Sequence, residues 1–87
     1  MTNENNAEIY NRVAIRFNGN LEAIKNFVIK ASKYNELEIR SGRWTVDPRS
    51  LMGMFSLDLS EPVSLYYPKS IEDNIFEDFG GYITKVL

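Results

Sequence analysis

The chain predicts an α+β fold, an antiparallel sheet with its helices on one face, and three observations carry that prediction. Val13, Ile15 and Phe17 alternate with Arg12, Ala14 and Arg16, the period of a half-buried strand. Leu21, Ile24, Val28 and Ala31 recur at helical spacing, and Phe27 widens their stripe. The candidate elements then run strand, helix, two strands, short helix, strand, helix.

Residues 1–8 are polar and Asn-rich and read as a disordered tail, leaving 9–87 as a single domain. After the first strand, Asn18-Gly19 is a turn pair, since both tolerate positive φ. Asn20 is placed to cap a helix over 21–33, with Glu22 near its start and Lys30 and Lys33 near its end to complement the macrodipole. Leu37 and Ile39, then Trp44 and Val46, alternate with polar residues about Ser41-Gly42, the pattern of a hairpin.

The stretch Asp47-Pro48-Arg49-Ser50-Leu51-Met52-Gly53-Met54-Phe55 is the densest signal in the chain. Asp47 is expected as N-cap, with Pro48 in the first helical turn. Leu51, Met52, Met54 and Phe55 exceed the single apolar stripe of so short a helix. They either fill the core or leave part of an adaptable docking patch exposed. Leu51 and Leu57 are both expected in the core. A last strand is expected over 63–67, ended by Pro68. Ser70 is then placed to cap a final helix with Ile71, Ile75, Phe79, Ile83 and Val86 on one face. That helix is expected to run through Gly80-Gly81, a break at Gly80 being the alternative.

Eighty-seven residues, 44% hydrophobic and 25% charged, make one ordinary folded domain. A net charge of −2 gives no bulk attraction to nucleic acid or an anionic membrane. No apolar run reaches the ~18 residues that span a bilayer, and the N-terminus is no signal peptide, so cytoplasm is the default expectation. The chain contains neither histidine nor cysteine. Serine–histidine triads, histidine zinc sites, thiol catalysis and phosphohistidine chemistry are therefore excluded.

Ser50-Leu51-Met52-Gly53-Met54-Phe55-Ser56-Leu57, with Ala31-Ser32-Lys33-Tyr34 upstream at the right separation, resembles HPr, the histidine-containing phosphocarrier of the bacterial sugar phosphotransferase system. The resemblance runs from about Val13 to the C-terminus. It implies an open-faced β-sandwich, β-α-β-β-α-β-α, with a four-stranded antiparallel sheet in the order 1-4-2-3. Counting back from Ala31 puts Asn20 at the family's phosphohistidine and Glu22 at its arginine. Aligning on Asn18-Gly19 puts Leu21 and Ala23 there instead. Neither register supplies a transferable phosphoryl site, and Glu22 would repel one. No enzyme and no cofactor is expected.

Ser50 matches the family's regulatory serine, with Arg49 where the family often has lysine; a helix cap is the simpler job for it. A family paralogue likewise lacks the histidine and keeps the serine. The resemblance implies a partner-binding surface at Leu51, Met52, Met54 and Phe55, with the end of the first helix. Its partners would be phosphotransferase enzymes, a serine kinase or a transcription regulator. The protein itself is expected as a monomer or weak dimer.

Other clusters are weaker. Glu72, Asp73, Glu77 and Asp78 have hard-metal chemistry but read as a solvated helix face, so no metal is expected. Asp58 and Glu61 are paired carboxylates without a sign of a pocket. Arg40, Arg43 and Trp44 form an alternative: a small-molecule or nucleic-acid binding module on the same sheet, against the bland reading of edge charges.

Overall fold

In the computed structural model, which describes residues 9–87, the alternation around Val13 and Ile15 becomes β1 (Tyr10–Ile15). The tail expected over 1–8 lies outside the described residues. Asn18 (φ 54°) and Gly19 (φ 67°) turn the chain in the left-handed region that each accepts. Asn20 caps α1 (Leu21–Ala31), its Oδ1 accepting the Ala23 N–H at 3.0 Å. The helix buries Ile24, Phe27 and Ala31 and gives way to a turn at Ser32, short of the expected end at Lys33. Leu21, counted in the stripe, is exposed.

β2 (Glu38–Ser41) and β3 (Trp44–Val46) form the hairpin about Gly42 (φ 60°). Next come α2 (Leu51–Phe55) and β4 (Val63–Pro68). A 3-10 turn over Lys69–Ile71 leads into α3 (Glu72–Phe79), and a second over Gly80–Tyr82 leads into β5 (Ile83–Val86).

The strands form one five-stranded antiparallel sheet, ordered β3-β2-β4-β1-β5. A four-stranded sheet was expected; the fifth strand comes from the stretch expected to extend the last helix. Ile83, Thr84 and Val86 are β-branched and suit a pleated edge. Pairing Ile83 with Ile15, Lys85 with Ala14 and Val86 with Val13 gives the backbone of β1 a partner on its outer side. Tertiary pairing thus overrides the helical spacing of Ile83 and Val86, and Val86 is exposed. At the other end, α3 begins at Glu72 with Ile71 in the N-cap position, one residue beyond the start expected from a Ser70 cap.

One face of the sheet carries Val13, Ile15, Ile39, Val63, Leu65 and Tyr67. Ile24, Phe27 and Ala31 of α1, Met54 of α2 and Ile75 and Phe79 of α3 pack into the same cluster. Phe27 is its hub, with ring centroids at 5.1 Å from Phe17, 4.8 Å from Phe79 and 5.4 Å from Tyr82. Such pairs add about 0.5–1.5 kcal/mol beyond area burial. Along the strands the alternate residues Arg12, Ala14, Ser64, Tyr66, Glu38 and Arg40 are half-buried or exposed, so the opposite face is left open by the described elements. Among these residues no helix is long and apolar enough to cross a membrane.

Candidate functional site

Asp47 does not cap α2. Its carboxylate accepts the Arg49 N–H at 2.9 Å, and its carbonyl accepts the Ser50 N–H at 3.0 Å. Asp-Pro-Arg-Ser is therefore a turn, with the buried Pro48 at the second position that proline favours. The helix starts three residues later. Ser50 is the N-cap, its Oγ accepting the Gly53 N–H at 3.0 Å. Ser56 closes the other end, its hydroxyl donating to the Gly53 carbonyl at 2.6 Å. Gly53 permits close packing: a Cβ there would stand 3.3 Å from Ser50 Oγ and 3.5 Å from Val46 Cβ.

The four apolar residues of α2 divide. Met54 is fully buried and anchors the helix in the core, which removes it from the expected partner surface. Met52 is 84% exposed, Phe55 46% and Leu51 37%. Leu51 was expected in the core; in a five-residue helix only one position points straight inward, and Met54 holds it. Leu57, also expected there, is half-buried against the core. Arg49 Nη1 donates to Asn35 Oδ1 at 3.2 Å, tying the turn before α2 to the loop after α1. The end of the first helix and the start of α2 are thus held next to each other.

The guanidinium of Arg49 is otherwise committed to Asp47, with contacts of 2.7–3.2 Å, and holds that carboxyl below its usual range. At the start of α1, Asn20 is spent on its cap and Glu22 is exposed in the first turn. In the alternative register Leu21 is an exposed apolar side chain and Ala23 a small one. Neither pair contains an imidazole.

The acidic residues of α3 are not simply solvated. Tyr67 Oη and Asn11 Nδ2 donate to Glu72 Oε2 at 2.5 and 2.9 Å. Tyr34 Oη donates to Asp78 Oδ2 at 2.5 Å, and Lys33 Nζ lies 2.9 Å from it. Glu72 is lowered chiefly by the tyrosine hydrogen bond, and so is Asp78. Tyr34 is pushed up to about 12 by burial and by Asp78. Glu77 and Asp73 stay outside these clamps, and the described residues contain no group of three acidic side chains placed to hold a metal. Asp58, exposed, accepts Ser60 N–H and Oγ–H at 3.1 and 2.5 Å, the contacts of a turn within its own loop.

Arg40, Arg43 and Trp44 are not brought together. Arg40 pairs in register with Thr45 and Ser64, on the open face. Trp44 pairs with Ser41 on the other side of the pleat, and Arg43 sits in the turn. The real company of Arg40 is different. Its guanidinium lies 4.1 Å from the centroid of the Tyr66 ring, and Arg12 donates to Tyr66 Oη at 3.1 Å. Sequence reading missed this group, although Arg12 and Tyr66 both lie in the outward phase of their strands, where a shared face could have been sought. No family model, no curated protein and no solved structure matches this chain.

Proposed function

We propose that this chain is an HPr-like module without phosphohistidine transfer, acting in the cytoplasm as a monomer or weak dimer by contact between proteins. Support comes from the motif at Ser50–Leu57, from the neighbour order β1-β4-β2-β3 within the sheet, and from the absence of histidine. One observation carries the docking site: Met52, Phe55 and Leu51 stand exposed on a helix that Met54 and the Ser50 cap hold rigid. A preformed apolar patch of this kind meets a partner without the cost of folding its backbone first. The partners proposed are components of the sugar phosphotransferase system, its serine kinase or an associated transcription regulator.

Ser50 is the proposed regulatory position. A phosphate there would sit at the start of α2, beside the patch, where amides and dipole favour negative charge. Arg49 would have to leave Asp47 to reach it. The prediction that separates cap from switch is simple. Ser50→Ala costs about 1 kcal/mol as a lost cap, and only a regulatory serine is also modified by a family kinase.

The main test is Met52→Asp. Binding to phosphotransferase components, measured by pull-down or calorimetry, is expected to be lost while stability falls by no more than ~1 kcal/mol, as at surface sites. Unchanged binding would remove the patch from the reading. Incubation with phosphoenolpyruvate and the general phosphotransferase enzyme should leave the mass unchanged; an acid-labile gain of one phosphate would overturn the loss of transfer.

A further inference from the structure

The open face of the sheet carries a charge the whole chain conceals. In register, Lys85, Ala14, Ser64, Arg40 and Thr45 form one row across all five strands. The neighbouring row is Arg12, Tyr66 and Glu38. Arg16 continues the outward phase of β1, exposed between the buried Ile15 and Phe17. Four cations stand against the single carboxylate of Glu38, so this face is +3; the chain as a whole is −2, which leaves −5 for everything else.

The three arginines are held in place, and of them only Arg40 is paired with a carboxylate. Arg40 gives two of its donors to Glu38 Oε1, at 3.0 and 2.8 Å, while its plane rests against Tyr66. Arg12 gives one donor to Tyr66 Oη, and Arg16 one to Asn18 Oδ1 at 3.1 Å. Each guanidinium has five donors, so the majority remain available. Arg12 in turn lowers the Tyr66 hydroxyl below its ordinary range.

We propose that this face binds single-stranded nucleic acid. Three features favour that occupant. Lys85 and Arg40 stand three strand spacings apart, about 14 Å, too far to close on one phosphate but suited to a backbone carrying several. Between them the floor is Ala14 and Ser64, small side chains that let a polymer lie close. Beside the floor, Tyr66 and the guanidinium stacked on it give a flat, sequence-tolerant surface for a base. An acidic protein would satisfy the charge but not the repeated phosphate spacing and base stacking, and a polyglutamate peptide in the test below separates the two occupants.

The test is a fluorescence-anisotropy titration of the full chain against a labelled single strand of about 15 nucleotides, as DNA and as RNA. Four phosphate contacts at a slope of about −0.7 each predict roughly 50-fold weaker binding as salt rises from about 50 to about 200 mM. Arg12→Gln and Lys85→Gln should each flatten that slope by about 0.7, while Lys25→Gln, on the outside of α1, should not change it. Tyr66→Leu should weaken binding about tenfold or more at constant slope, through lost stacking. Circular dichroism confirms that each variant is folded; if Tyr66→Leu is not, Arg40→Gln is the second probe and should weaken binding and also flatten the slope by about 0.7. Absence of binding at low salt, equal binding of a polyglutamate peptide, tighter binding of a duplex, or a slope that Lys25→Gln flattens as much as Arg12→Gln does would each overturn the proposal.

Discussion

α1 and α3 are packed against the same face of the same sheet but are held by different means. α1 carries its own instructions: Asn20 caps it from the adjoining position, Glu22 lies in its first turn and Lys30 in its last. α3 has no side-chain cap at its start and no basic residue in its last turn. Its ends are secured from elsewhere in the chain. Glu72 is gripped by Tyr67 and Asn11, and Asp78 by Tyr34 and Lys33. Lys30, on α1, donates to the Asp78 carbonyl at 3.0 Å, supplying the cation the later helix lacks. A helix stabilised locally can be read from a short window of sequence; one stabilised by distant side chains cannot.

The largest test of the comparison concerns what both helices share. Phe27 and Phe79 are fully buried and their rings touch, so Phe27→Ala and Phe79→Ala should each cost about 3–5 kcal/mol, measured by denaturant unfolding. The double variant should cost less than the sum, because both single changes remove the same ring contact. Full additivity would mean that the two helices are anchored independently.

The next test separates the helices. Tyr34→Phe removes a hydrogen bond to a carboxylate from the end of α3 and should cost about 1–2 kcal/mol at neutral pH. Its signature is in the pH dependence. Asp78 and Glu72 are depressed in the folded state, so their contribution is full above the ordinary carboxylate range, about pH 4, and is lost as pH falls through their lower folded values. Tyr34 is raised to about 12, so its contribution is full below its ordinary value near 10 and is lost as pH rises from there. Tyr34→Phe should flatten both limbs of the stability profile in part: Lys33 and Glu72 keep some of the acid limb, and the likewise raised Tyr67 and Tyr82 some of the alkaline one. An unchanged alkaline limb would mean the hydroxyl is not bound as described.

The corresponding test on α1 is smaller and has no such pH signature. Asn20→Ala should lose about 1 kcal/mol, a cap and nothing more, with the same loss from about pH 5 to about pH 9. A pH-dependent loss would show that α1 also leans on distant charges, and the contrast would fail.

This division accounts for what was legible. β1, the Asn18-Gly19 turn, the Asn20 cap, the Gly42 hairpin and β4 all rest on period or turn chemistry within a few residues, and all appear, although β1 spans Tyr10–Ile15 and leaves Phe17, expected in that strand, beyond its end. The start of α2 was misplaced because Asp47 and Ser50 are both good caps; Asp47 is used in the turn, on the Arg49 N–H, and Ser50 takes the cap. The exposed apolar face of α2 was legible as an excess of apolar residues, but not which one faces inward; a five-residue helix is too short for its periodicity to show it. The open face was invisible as a unit because Arg12, Tyr66, Arg40 and Lys85 are brought together only by strand pairing. Net charge, a sum over the whole chain, pointed away from it.

The smallest effect bears on the least legible place, the end of α3. Gly80 and Gly81 suggest a helix stopped by its own glycines. The structure suggests another cause. Gly80 has a helical φ of −54° and ψ of −33°, and a Cβ there would meet nothing within 4 Å. Beyond the glycines, β5 pairs with β1, and Tyr82 already delivers its carbonyl to the Arg16 N–H at 3.0 Å. If that pairing is what ends the helix, Gly80→Ala only restricts the unfolded chain and should stabilise the protein by about 0.4–1 kcal/mol. If backbone freedom at Gly80 is what lets the chain leave the helix, alanine should favour a further helical turn, compete with β5 and destabilise the fold. Thermal unfolding gives the sign, and amide exchange at Ile83–Val86 gives the reason: protection kept or raised with the first cause, lost with the second.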